Sequence, residues 1–263
     1  MRRALLCACL WTACLAGCGG EGTRSLTPPD GKPAKAPRMS PDGLSIAYVL
    51  DGATDQVMVV SLDGASSRML KEAPAITSVA WSPDGAKVYY ASSEGIGWVP
   101  SAGGAATVVT ATTTAARIDV SADGSALVFD NQAASSPLFA LDLTRAGLPP
   151  LELSVRGSAP RFSRDGKRVA FIKSNATATL AVLDLTTRAV TDLLDTAAAN
   201  PALAWSSDSA FIAYVSGRGI ETMVVASRSH HQVAGEPRAT HLDLHANGTI
   251  LYVVDGRPDI YLF

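Results

Sequence analysis

The sequence predicts an all-β fold, a six-bladed β-propeller of four-stranded antiparallel blades, closed by an N-terminal strand that completes the last blade. Three observations predict it. A turn motif recurs six times at blade-length spacing, short β-branched and aromatic runs flank every copy, and the final unit stops one strand short.

The turn copies read MSPDG, WSPDG, VSADG, FSRDG, WSSDS and LHANG, centred on Asp42, Asp84, Asp123, Asp165, Asp208 and Asn247, so they are spaced by 42, 39, 42, 43 and 39 residues. In each, a first strand ends in an apolar residue three positions before the turn acid: Met39, Trp81, Val120, Phe162, Trp205 and Leu244. A second strand follows the turn (SIAYVL, KVYYAS, ALVFDN, RVAFIK, FIAYVS, ILYVVD). A third comes after a loop (QVMVVSL, GIGWVPS, PLFALDL, TLAVLDL, ETMVVAS, DIYLF). A fourth, weaker strand closes most units, as in SSRML, ATVVT and AVTDLL. In Ser40-Pro41-Asp42-Gly43 the Ser accepts backbone N–H bonds, Pro41 presets φ near −65°, and Gly43 takes the left-handed conformation that closes a hairpin. The fifth copy puts Ser209 where the others have Gly, which predicts a distorted or more mobile turn.

The sixth unit ends at Phe263 within its third strand. The segment TRSLT lines up with SSRML, the outer strand of the first unit, so residues 22–27 are expected to complete blade six and cover an otherwise open sheet edge.

Composition narrows the function classes. The 263 residues are 47% hydrophobic and 17% charged, enough for a sizeable core, and the formal net charge of −2 without a dense basic run argues against a nucleic-acid partner. Cys7, Cys9, Cys14 and Cys18 are the four cysteines, so no disulfide framework staples the folded part. Arg2, Arg3 and the apolar run after them form an export signal over residues 1–17. Leu15 to Cys18, LAGC, resembles the bacterial lipobox, which implies lipidation at Cys18 and membrane attachment through that anchor. Residues 18–35 then form a tether that includes the closing strand, and residues 36–263 the propeller. By analogy Gly19, where inner-membrane retention uses an acidic residue, points to the outer membrane, facing the periplasm.

The WSPDG and FSRDG copies with their following strands are similar to the WD-like repeats of the TolB carboxy-terminal propeller. The resemblance covers residues 36–263 and implies a six-bladed periplasmic ring engaged in protein–protein contact. TolB carries an α/β domain ahead of its propeller, which the tether here is too short to hold.

Four positions before each turn acid stand Arg38, Ala80, Asp119, Arg161, Ala204 and Asp243, an Arg-Ala-Asp pattern that runs twice. Around a ring this pairs Asp119 with Arg161 and Asp243 with Arg38, either as inter-blade ion pairs or as a channel mouth that binds a peptide or small polar ligand. No metal site is assigned. An alternative reading gives His241, Asp243 and His245, on one strand face, to a metal ion in a channel-mouth lyase, and a further one makes the mouth a sugar or small-ligand site. His230 and His231 read as a solvated loop. No nucleophile elbow, zincin or nucleotide-loop pattern is present. The expectation is therefore a non-catalytic, monomeric envelope protein that needs no cofactor and binds a protein or peptide partner.

Overall fold

Second strands such as SIAYVL are apolar at nearly every position, so they must be covered on both faces, which a stack of sheets achieves. The computed structural model describes residues 23–28, 31–111, 115–131, 136–145, 147–173, 178–196 and 202–263. They form six four-stranded antiparallel sheets set as a propeller. The export signal, the lipobox with Cys18, and residues 18–22 of the tether lie outside the described residues.

Strand β1 (Arg24–Leu26) precedes the first blade, which is β2 (Ala34–Met39), β3 (Ser45–Leu50), β4 (Asp55–Ser61) and β5 (Ser67–Ala73). Blade two is β6 (Ser78–Trp81), β7 (Lys87–Ser92), β8 (Gly95–Pro100) and β9 (Thr107–Thr110). Blade three is β10 (Ile118–Val120), β11 (Ala126–Phe129), β12 (Pro137–Asp142) and β13 (Leu151–Arg156). Blade four is β14 (Ser158–Phe162), β15 (Arg168–Lys173), β16 (Thr179–Asp184) and β17 (Val190–Asp195). Blade five is β18 (Leu203–Trp205), β19 (Phe211–Ser216), β20 (Gly219–Val224) and β21 (His230–Ala234). Blade six has β22 (Ala239–Leu244), β23 (Ile250–Val254) and β24 (Ile260–Leu262) from the end of the chain.

The outermost strand of the sixth sheet is β1, antiparallel to β24 with Arg24 opposite Leu262, Ser25 opposite Tyr261 and Leu26 opposite Ile260. It is shorter than the span 22–27. Only Leu26 of its three residues is half-buried. Blade one begins earlier than residue 36: Ala34 is buried and pairs with Leu50, so Ala34 and Lys35 belong to the ring. The first strands of all six blades touch one another in a closed cycle, which makes them the channel wall.

Core and turns follow from the alternation of side chains along a strand. In β3, Ile46, Tyr48 and Leu50 pack toward blade six with Leu251 and Val253, whereas Ala47 and Val49 pack toward blade two with Val79 and Val88. Each of the six blade interfaces holds one such buried cluster. Outer strands see solvent and lose the pattern, which is why β13 and β21 escape a periodicity reading. His230 and His231 are therefore not in a loop: they open β21, opposite Met223 and Thr222, with both side chains exposed.

The turn is a small hydrogen-bonded cage. Ser40 Oγ donates to Asp42 Oδ1 (2.5 Å) and accepts from Ser45 N (2.9 Å), while Asp42 Oδ1 also accepts from Leu44 N (3.0 Å). The same bonds recur around Ser82, Ser121, Ser163 and Ser206. Ser209 does not distort its copy: at φ 58° it takes the glycine conformation, and its N–H still donates to Ser206 O at 3.0 Å. A compensating contact explains this, because the buried Ser209 Oγ accepts from Asp165 N of the neighbouring blade at 3.0 Å. Replacing Ser209 by Ala should therefore lower stability by about 1 kcal/mol through the lost bond. Ser209→Gly should come out near neutral, since relief of about 1 kcal/mol of left-handed strain offsets the same loss. Urea denaturation of the two variants checks the pair.

Candidate functional site

Within the channel wall, a bulge in β2 and another in β14 re-aim the residues that follow them. Ala36 and Ala159 take φ values of 47° and 54°, and the pairing register shifts between Lys35 and Arg38 and between Ser158 and Arg161. Both arginines consequently project along the channel.

They meet the carboxylates expected from the Arg-Ala-Asp pattern. Arg38 Nη1 lies 3.7 Å from Asp243 Oδ1, and Arg161 Nη1 lies 3.5 Å from Asp119 Oδ1. The second oxygen of each carboxylate accepts a backbone N–H, Met39 for Asp243 and Phe162 for Asp119, both at 2.9 Å. What the pattern does not reveal is the rest of each guanidinium's engagement. Arg38 donates through Nε to Val79 O (3.1 Å) and through Nη2 to Ile118 O (3.4 Å). Arg161 does likewise to Leu203 O (3.2 Å) and Leu242 O (3.3 Å). Trp81 and Trp205 donate from Nε1 to the carbonyls of Arg38 and Arg161 themselves. Arg38 and Arg161 thus each span four consecutive blades, their own included.

At the end of the channel bearing the turns lies a cavity of about 290 Å³ whose lining includes Arg38, Asp119 and Asp243 but not Arg161. Its rim carries the second residue of all six turns: Pro41, Pro83, Ala122, Arg164, Ser207 and Ala246. Arg38 is only 6% exposed and Asp243 8%, so they form a neutralised base. Arg164 is different. It is exposed, it has no ion pair or side-chain hydrogen bond among the described residues, and its charge acts on both Arg38 and Asp119. Sequence reasoning missed it because it occupies a turn position that elsewhere holds Pro, Ala or Ser.

Burial raises the Asp119 carboxyl to about 6, against the opposing pull of Arg38 and Arg164. Burial also lowers Arg38, and Asp243 beside it resists that shift. The turn acids move the other way: hydrogen bonds from Ser121 and Ser125 hold Asp123 down at about 2.

The histidines do not converge. His245 lies over the first turn, where a Cβ on Gly43 would fall 2.6 Å from its Cε1, and it lines the cavity. His241 faces the channel below the ion pairs, its imidazolium disfavoured by burial and then by Arg117, Arg38 and Lys35, which push it down to about 3. Asp243 between them is occupied by Arg38 and Met39. Among the described residues no group of three or more His, Cys, Asp or Glu is placed to hold a metal ion, so His241, Asp243 and His245 do not make the site their spacing suggested.

Two outcomes follow. Arg38→Ala should cost about 3–5 kcal/mol, because it strands a buried carboxylate and two carbonyls, whereas Arg164→Ala should stay within about 0.5 kcal/mol; thermal and chemical unfolding of both variants measures this. Because the folded carboxyl of Asp119 sits above its unfolded value, the folded chain binds that proton more tightly, and the resulting stability is complete below about pH 4 and lost as pH rises through about 6. Stability should fall by on the order of 3 kcal/mol across that window, and Asp119→Asn should flatten the slope.

No family model matches the sequence, and no curated protein matches it. Among solved structures, the chain is similar to TolB from Acinetobacter baumannii, with a TM-score of 0.61 at 18% identity over 88% of this chain and 54% of that one. The chain therefore spans about half the length of TolB. It is also similar to the β-propeller domain of Cps50 (Swd1) from Myceliophteria thermophila, with a TM-score of 0.65 at 11% identity over 90% of this chain and 98% of that one. At such identities the likeness establishes the fold, and the chain is a β-propeller of the shape that TolB and Swd1 share.

Proposed function

We propose that this chain is a non-catalytic, lipid-anchored envelope propeller that binds a protein or peptide partner at the turn-bearing mouth of its channel. A propeller scaffold for protein contact fits the TolB and Swd1 likeness. The envelope setting rests on the lipobox, Leu15 to Cys18, and on the repeats similar to those of TolB.

The observation that carries the binding reading is the contrast between the mouth's base and its rim. Arg38, Asp119, Arg161 and Asp243 hold the ring together and have few bonding positions left for a ligand. Arg164 stands free above them, across from the apolar faces of Pro41 and Pro83. An exposed cation beside rigid apolar residues suits an acidic or amphipathic peptide segment, since arginine and rigid anchors dominate protein interfaces. The acid–base groups nearby are already committed, Asp119 and Asp243 to arginines and backbone N–H groups and His245 to the first turn, which supports the non-catalytic reading.

Crosslinking from intact envelopes, followed by affinity capture, tests this with Arg164→Glu against the wild type. The variant should fold normally and lose most of the captured partner. Equal capture by both would overturn the mouth assignment. Cys18→Ala should abolish incorporation of radiolabelled palmitate and move the protein out of the membrane fraction; unchanged fractionation would remove the anchor from the reading.

A further inference from the structure

The opposite end of the channel has its own chemistry. Arg117 immediately precedes β10, two residues before Asp119, and its backbone remains paired with the end of the neighbouring strand: its N–H donates to Asp130 Oδ1 (3.1 Å) and its carbonyl accepts from Asp130 N (3.2 Å). Alternation along an extended chain therefore places its side chain on the channel face. His241 precedes Asp243 by two in β22 and occupies the equivalent place three blades away, so the two look across the axis at each other. The charge of Arg117 acts on both His241 and Arg38, in keeping with that placement.

Unlike the two arginines one layer away, Arg117 is unspent. It is half-buried, and among the described residues its guanidinium has no hydrogen bond and no ion pair. The only bond of the His241 ring among the described residues joins Nδ1 and Thr240 Oγ1 (3.1 Å); in the tautomer where the hydroxyl donates to Nδ1, the ring proton sits on Nε2, which has no partner among the described residues. Neither side chain carries an unsatisfied atom sealed from solvent, so their unpaired nitrogens keep some solvent access. At the rim Lys35 is held by Asp51 at 2.7 Å and Asp55 at 4.0 Å. The result is one guanidinium without an ion pair among the described residues and one neutral imidazole on the channel wall.

We propose that Arg117 and His241 form a carboxylate-binding site inside the channel, entered from the end opposite the turns. A guanidinium fork matches the two oxygens of a carboxylate, and an imidazole N–H adds a donor from across the axis. The charge balance selects this ligand class: a single free cation compensates a monoanion, whereas a phosphate dianion would leave net negative charge in the low-dielectric channel. The carboxylate belongs to a small acid or to the end of a peptide chain, the two forms narrow enough to enter.

The test is a titration of the full chain, labelled with ¹⁵N-histidine and ¹⁵N-arginine, with N-acetylglycine at constant ionic strength. Saturable shifts of the His241 ring and Arg117 Nε signals in the millimolar range are expected, with His241→Asn supplying the assignment. Arg117→Gln should weaken binding by about tenfold or more, the loss expected for a bidentate charged bond, without lowering the thermal midpoint. Arg164→Gln should leave it unchanged, so failure here is separable from failure at the turn-bearing mouth. Acetylglycinamide, lacking the charge, should produce no shift. Absence of saturation, or equal affinity in Arg117→Gln, overturns the site, and tighter binding of inorganic phosphate overturns the carboxylate assignment. A triglycine arm distinguishes a peptide terminus from a free small acid by which of the two ligands binds more tightly.

Discussion

Two guanidinium groups hold the centre of this molecule together. Arg38 connects blades six, one, two and three, and Arg161 connects blades three, four, five and six, so the two spans overlap at both ends and encircle the channel. A propeller interior presents carbonyl groups of the innermost strands to a narrow space where water is scarce. Such acceptors need donors, and a planar five-donor group reaches several of them at once. The charge that comes with those donors in turn requires a carboxylate, which Asp243 and Asp119 provide while accepting one backbone N–H each. Blade number, bulge position and the Arg-Ala-Asp pattern are thus mutually dependent.

The engagement of the two arginines is the same in detail, offset by 123 or 124 residues: Val79 corresponds to Leu203, Ile118 to Leu242, Trp81 to Trp205. The chain therefore repeats a three-blade unit. Three departures from that repeat fall where the channel meets solvent. Pro41 corresponds to Arg164, Pro83 to Ser207, and Arg117 to His241. A scaffold that conserves its internal bonding between halves while diverging at both mouths has separated the residues that fold it from those free to recognise something.

Much of this was legible in the sequence because local chemistry dictated it. The turn cage needs only Ser, Asp and Gly at fixed spacing, the sandwiched second strands announce themselves as continuous apolar runs, and the ion pairs follow from counting blades. The rest was not legible for equally physical reasons. Outer strands β13 and β21 face water on one side and solvent at the edge, so His230-His231 carried no periodic signal. Ser209 kept the regular turn because Asp165 N lies close enough to bond its hydroxyl, a contact between residues 44 positions apart. Carbonyl partners of Arg38 and Arg161 leave no trace in side-chain identity at all. Arg164 and Arg117 are distinguished only by what they lack, and missing partners show only in three dimensions.

The pairing of β1 with β24 has a geometric corollary. Because Arg24 to Leu26 form the outermost strand of blade six, both ends of the described chain meet in one sheet. That sheet works as a clasp, since the seam between blades six and one cannot open without first parting β1 from β24.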